Sequence, residues 1–275
     1  YSIPCYASAI LKIDPWHDSV TTFGDLGSGS KKWWHSVLAS NGAIYGIPAY
    51  ARTVLKVVPF YDRVTTFGNL GSGSYKWRHG VMATSGIIYG MPAYANSVLR
   101  IDPDTDTAST FGQLPGRSYK WWYGIVPSNG VVYGIPSFAH NLLKIDPADD
   151  SISMVGSFGV GSYRWRHAVA ASNGVVYGIP TDARAVLRLT PGPTTTSTRT
   201  TTTTTVTPRL VQVSVERTVL VEHETGGSGA AIAASSLGAV LGLAACAGLG
   251  AFVFCRCYPA AHASKGATTP ALPPV

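Results

Sequence analysis

The chain has 275 residues, 45% of them hydrophobic and only 13% charged, with 30 glycines and 18 prolines, a balance that suits short strands and tight turns and argues against long surface helices. Its formal charge is +7, but over the first 190 positions the basic groups are scattered and never form a run of the kind seen in nucleic-acid arms, so a mildly anionic partner fits and nucleic acid does not. The four cysteines exclude a disulfide framework, because Cys5 stands alone and Cys246, Cys255 and Cys257 fall in or beside an apolar C-terminal stretch. Tyr1 falls where a repeat is already under way, so the chain reads as a fragment or processed form whose N-terminal part, with any signal peptide, is missing.

From the N-terminus to residue 191 the sequence is an array. Tyr1, Tyr45, Tyr89, Tyr133 and Tyr177 stand 44 residues apart, and Pro4, Pro48, Pro92, Pro136 and Pro180 form a second column. Further columns hold Leu11, Leu55, Leu99, Leu143 and Leu187, each followed by Lys or Arg, then Asp18, Asp62, Asp106 and Asp150, and finally Trp33, Trp77, Trp121 and Trp165. Within the unit, short runs rich in apolar and β-branched residues predict four strands, as in Trp77 to Ala83, Ile87 to Met91, Ser97 to Ile101 and a run ending at Phe111. Asn-Gly or Ser-Gly separates the first two as a tight hairpin turn, because these residues accept positive φ. Asp102-Pro103 with Asp106 joins the last two, the proline pre-setting φ and the aspartates bonding local amides.

A 44-residue unit of four antiparallel strands predicts an all-β fold, a β-propeller built from four-stranded blades with about five present. Helical repeats of similar length are excluded by interior prolines and frequent glycines. The pattern Val-x-Ala-x-x-Gly-x-x-Tyr-Gly at Val81 to Gly90, followed by Val-Leu-x-Ile-Asp-Pro at Val98 to Pro103, resembles the NHL, YVTN and virginiamycin B lyase-like short-repeat propellers. That resemblance covers residues 1 to 190 and implies a fold, not an activity. The first copy supplies strands two to four and the last supplies one to three, so the missing outer strand is expected from upstream of Tyr1, in a ring of about six to eight blades. Leu210 to Val221 is the alternative donor.

In propellers of this group the start of strand one and the loop after strand two emerge on one face. That face would gather Lys32-Trp33-Trp34-His35, Lys76-Trp77-Arg78-His79, Lys120-Trp121-Trp122-Tyr123 and Arg164-Trp165-Arg166-His167. The candidate ligand-binding rim is therefore Trp33, His35, Trp77, Arg78, His79, Trp121, Tyr123, Trp165, Arg166 and His167, where indoles would stack on sugar rings and cationic groups would bond hydroxyls and carboxylates. For the four column tryptophans, packing between sheets is the preferred reading. Strand alternation would place Trp77 and His79 on one side and Arg78 on the other. A metal held by His35, His79 and His167 is set aside because Tyr123 breaks the set, and no cofactor or catalytic constellation is indicated.

Beyond the array, residues 192–208 are Thr- and Pro-rich and suit a stalk, and residues 209–229 form a juxtamembrane segment. Residues 230–254 carry no charge and are long enough for a single transmembrane α-helix. Arg256 and Lys265 follow it, while Glu222 and Glu224 precede it, which places residues 255–275 in the cytoplasm and the propeller outside the plasma membrane. Gly238, Gly242, Cys246 and Gly250 would give that helix a face of small residues for association with a second helix. The combined expectation is a single-pass membrane protein whose extracellular propeller binds a carbohydrate or protein ligand. A propeller ectoenzyme of lyase, lactonase or hydrolase type using His35, His79 or His167, and a purely structural surface protein, are the alternatives.

Overall fold

The computed structural model describes residues 1–116, 119–192 and 215–219. It is all-β apart from one 3₁₀ turn at Pro59–Tyr61. The first sheet has β1 (Ile10–Asp14) and β2 (Ser19–Phe23), with Ser2 bridged to Leu11. Four sheets of four antiparallel strands follow. They comprise β3 (Trp33–Leu38), β4 (Ile44–Pro48), β5 (Val54–Val58) and β6 (Arg63–Phe67), then β7 (Trp77–Met82), β8 (Ile88–Pro92), β9 (Val98–Asp102) and β10 (Thr107–Phe111). The fourth sheet has β11 (Trp121–Ile125), β12 (Val132–Pro136), β13 (Leu142–Asp146) and β14 (Ser151–Val155), and the fifth has β15 (Trp165–Ala170), β16 (Val176–Pro180), β17 (Ala185–Leu189) and β18 (Val215–Val219).

Each sheet is a simple meander, and the first strands β3, β7, β11 and β15 contact one another in series. The fifth sheet takes its fourth strand from Val215–Val219, which pairs antiparallel with β17 from Ala185↔Val219 to Leu189↔Val215. This is the second of the two donors that the sequence offered, and it covers an edge that would otherwise present unpaired amides. Residues 230–254, with the candidate helix face at Gly238, Gly242, Cys246 and Gly250, lie outside the described residues. Among those described, no helix is long and apolar enough to cross a membrane.

The core sits between neighbouring sheets. Trp77 packs with Tyr45, Ile47 and Val54 of the second sheet and with Ile88, Leu99 and Ile101 of its own. Trp33, Trp77, Trp121 and Trp165 are 3%, 2%, 1% and 3% exposed. Each indole Nε1–H donates to a backbone carbonyl 20 residues on, at Thr53, Ser97, Asn141 and Ala185, always at 2.9 Å. Burial of a ring removes roughly 150–250 Å² of surface from water, and the bond satisfies the one polar atom it carries. These four tryptophans are thus core residues and offer no indole face to a ligand.

Two further columns join sheet to sheet. At the turn between strands three and four, Asp62, Asp106 and Asp150 adopt left-handed φ of 47°, 51° and 56°. Their carboxylates do not serve chiefly as local turn acceptors, as the sequence suggested, but reach back to the preceding sheet. Asp62 meets Lys12 at 2.7 Å, Asp106 meets Lys56 at 2.6 Å, and Asp150 meets Arg100 Nε at 3.1 Å and the Tyr89 hydroxyl at 2.5 Å. The local role belongs instead to Asp14, Asp102 and Asp146, each accepting from the amide two residues on.

At the other end, the Lys or Arg before each column tryptophan ties neighbouring sheets through its backbone. Lys76 N–H donates to Ala49 O at 3.0 Å while Lys76 O accepts from Ala93 N–H at 2.9 Å; Ala93 O then accepts from Lys120 N–H at 3.0 Å, and the chain of bonds continues through Ser137 to Arg164. The side chains are buried as well. Lys32 Nζ donates to the carbonyls of Tyr6, Ala7 and Gly27, and Lys76 Nζ to those of Tyr50, Ala51 and Gly71. In the fifth sheet the Arg164 guanidinium bonds Phe158, Gly159 and Ala139 carbonyls in the same way. Lys76→Met would leave three carbonyls without their buried donor and is expected to lower stability by about 2–4 kcal/mol. Lys76→Arg, which copies Arg164, is expected to stay within about 1 kcal/mol of wild type; urea unfolding of both variants checks the pair.

Candidate functional site

The end of the sheets where these cations sit is called the upper rim here, and the strand three to four turns define the lower rim. At the upper rim strand one begins and strand two ends, since Trp33 pairs with Pro48, Trp77 with Pro92, Trp121 with Pro136 and Trp165 with Pro180. The next pairs are His35↔Ile47, His79↔Met91, Tyr123↔Ile135 and His167↔Ile179, so one extra residue is inserted each time. The inserted residues are Trp34, Arg78, Trp122 and Arg166. A β-bulge bends its strand and re-aims side chains, and here it breaks the simple alternation expected of strand one. The three consecutive positions of each copy therefore have three separate surroundings.

The column tryptophans enter the core, as described above. The next column forms a ladder of alternating indole and guanidinium. The Arg78 guanidinium carbon lies 4.4 Å from the Trp34 ring centre and 3.7 Å from that of Trp122, and Arg166 lies 4.5 Å from Trp122 and 4.2 Å from the Tyr163 ring. These are cation–π distances. The third column forms a stack of rings, with centres 3.9 Å apart for His35 and His79, 4.1 Å for His79 and Tyr123, and 4.2 Å for Tyr123 and His167.

Close approach of the inner strands makes this stack possible. A Cβ on Gly80 would fall 2.5 Å from Ile47 Cδ1, and one on Gly124 would fall 2.8 Å from Met91 Cγ. The same glycine amides bond the stacked rings, Gly80 N–H donating to His35 Nδ1 at 3.3 Å and Gly124 N–H to His79 Nδ1 at 3.2 Å. An Nδ1 that accepts leaves the proton on Nε2, so His35 and His79 are neutral and present a donor. Burial, with Arg78 adding its charge, pushes His35 down to about 4. Burial first, then His35, His167 and Arg78, holds His79 well below the ordinary histidine value, and burial also lowers His167. Tyr123 continues the stack with no charge to lose near neutrality, its hydroxyl pKa raised by burial.

A second aromatic row runs beside the ladder, and its members Tyr75, Tyr119 and Tyr163 lie outside the candidate list. Tyr75, Tyr119 and Tyr163 adopt left-handed φ of 51°, 52° and 48°, with Lys31 in the equivalent place at 54°. Bulky side chains in that region carry backbone strain, which concentrates at functional sites. Their rings interleave with Tyr50, Tyr94 and Phe138 from the loops after strand two, with centres 5.0 Å apart for Tyr50 and Tyr75, 4.7 Å for Tyr94 and Tyr119, and 4.6 Å for Phe138 and Tyr163. The available signal was positional, because these tyrosines immediately precede the Lys/Arg-Trp column in three of four copies. Trp34 and Trp122, also outside the candidate list, are the half-buried indoles of the ladder. Among the described residues no three His, Cys, Asp or Glu side chains are grouped to hold a metal ion.

No protein-family model matches the chain, and no curated protein sequence matches it. Solved structures do resemble it. Virginiamycin B lyase from Staphylococcus aureus superposes with a TM-score of 0.57 at 12% identity, over 67% of this chain and 60% of the lyase. A streptogramin B lyase gives 0.55 at 16% identity, over 67% of this chain and 59% of its own. The fold is a β-propeller, similar in architecture to these two. At this identity the likeness speaks for architecture alone, and the chain spans about three fifths of the length of these two enzymes.

The histidine stack is expected to make this fold sensitive to acid. Its histidines bind protons more weakly folded than unfolded, so stability is fully present above the ordinary histidine value of about 6.5 and is lost as pH falls from there toward the value of about 4 held by His35. His79→Tyr, which copies the fourth sheet's own residue at this place, should flatten that acid slope while leaving stability at pH 8 nearly unchanged. Melting temperature measured at a series of pH values for wild type and variant tests this, and an undiminished slope would show that the stack is not its source.

Proposed function

We propose that this propeller is a cell-surface binding module whose upper rim captures a carbohydrate ligand, with a protein ligand as the competing occupant. The supporting observation is the double row of rings and guanidinium groups that runs unbroken across four sheets. Partly exposed tyrosines supply apolar faces with polar edges, which suit sugar rings, the Trp34 indole adds a half-exposed ring, and the guanidinium groups supply donors for hydroxyl and acidic oxygens. Such a surface repeats itself from sheet to sheet. Catalysis in contrast requires a few unlike groups converging on one reacting atom.

An ectoenzyme that draws its base from His35 or His79 fits the geometry less well. A general base must offer a lone pair to the substrate, and the Nδ1 lone pair of each ring is occupied by a glycine amide of the next sheet. Outside the propeller, the proposal keeps the reading drawn from sequence. Residues 192–208 form a Thr/Pro-rich stalk, residues 230–254 span the membrane, and residues 255–275 face the cytoplasm.

Two measurements test this. On a glycan array the full chain should bind a restricted set of oligosaccharides, and Tyr119→Ala or Trp34→Ala should weaken that binding about tenfold, equivalent to about 1.4 kcal/mol. Turnover of an ester or lactone substrate that disappears in His79→Ala, together with an empty array, would favour the enzyme instead. Protease added to intact cells should remove the propeller and leave the C-terminal tail intact; a digested tail with a protected propeller refutes the orientation.

A further inference from the structure

Charge is segregated along the propeller axis. No glutamate occurs before Glu216, and of the aspartates in residues 1–192 only Asp25 and Asp182 stand at the upper rim. The other nine lie in or beside the turns that join strands three and four. Five ion pairs lie at that lower end, from Lys12–Asp62 to Arg100–Asp150. The upper rim instead gathers Lys31, Arg52, Arg78, Arg166 and Arg184 around the aromatic rows, with Arg52, Arg166 and Arg184 exposed. A surface with one sign of charge attracts ligands of the other and accelerates their encounter.

The way Arg78 is held adds geometry to that charge. Indole rings lie at cation–π distance from it on two neighbouring sheets, at 4.4 and 3.7 Å. Stacking of this kind holds a guanidinium flat, and the in-plane N–H edge of a flat guanidinium matches the two oxygens of a carboxylate or sulfate group. Arg166 repeats the arrangement two sheets further on, against Trp122 and Tyr163. A cleft of about 500 Å³ beside it is lined by Arg164, Arg184, Ser162 and Asp182. Cationic positions on the second, third and fifth sheets favour a polymer with several charges over a single small anion.

We infer that the upper rim takes a polyanionic polysaccharide, bearing carboxylate or sulfate groups, in preference to a neutral one. This deepens the carbohydrate reading above and rests on it. The test uses the full chain in detergent micelles against immobilised dextran sulfate, polygalacturonate, neutral dextran and polyglutamate. At least one of the two acidic polysaccharides should bind and neutral dextran should not, with affinity falling steeply as added salt shortens the screening length from about 10 Å to about 3 Å. Arg52→Gln, Arg166→Gln and Arg184→Gln, all at exposed positions, should each weaken that binding about three- to tenfold, with the melting temperature unchanged for Arg52→Gln and Arg184→Gln and slightly lowered for Arg166→Gln, which loses its ring contacts. Binding of dextran as strong as that of dextran sulfate, insensitive to salt, overturns the polyanion inference and leaves the carbohydrate reading standing. Binding of polyglutamate alone, or of none of the four polymers, overturns both.

Discussion

The structure depends on a buried cation placed where two sheets meet. Lys32, Lys76, Lys120 and Arg164 each close a backbone bond to the sheet before and another within their own, so one run of hydrogen bonds threads the upper rim from Cys5 to Thr181. An ammonium group removed from water is costly unless its donors are met, and for Lys32 and Lys76 three carbonyls meet them. Burial still pushes Lys76 and Lys120 down to about 8. A misplaced sheet would leave both the cation and its carbonyls unsatisfied, so the arrangement penalises wrong docking more than it rewards right docking.

Two other contacts hang on this one. The buried tryptophan follows the cation directly, so fixing the cation seats the indole between sheets, with Nε1 on a carbonyl 20 residues away. At the lower rim the aspartate in left-handed backbone clasps Lys, Arg or Tyr of the sheet before. These exposed or half-exposed pairs are individually weak. Their consequence is alignment: with both rims tied, the inner strands approach until Gly80 and Gly124 have no room for a side chain, and only then do the rings of His35, His79, Tyr123 and His167 stack.

The candidate site is a by-product of that approach combined with the bulge at the second position of each inner strand. Without the inserted residue, Trp34, Arg78, Trp122 and Arg166 would follow strand alternation. With it, they form a row of their own above the imidazole stack. The two rows differ in chemistry. The imidazoles of His35 and His79 are neutral and engaged with glycine amides, which makes them part of the frame, whereas the guanidinium groups remain charged and sit beside partly exposed rings. The side of the propeller that carries both rows is also the one on which acidic residues are nearly absent.

Much of this was legible before any coordinates. The 44-residue spacing of tyrosine, proline, aspartate and tryptophan columns, with Asn-Gly turns and a proline in every unit, determined a meander of four strands repeated in series, because period-two patterning and turn chemistry act over a few residues. It also determined that start of strand one and end of strand two share a rim. Tertiary structure alone decided which member of each triplet became core and which became surface, since a single inserted residue changes the side on which a chain of alternating side chains falls. It likewise decided that the aspartate column acts between sheets instead of within its turn, and that Val215–Val219 completes the fifth sheet. Those outcomes depend on contacts between residues about 30 to 60 positions apart, and local pattern carries no information about partners at that distance.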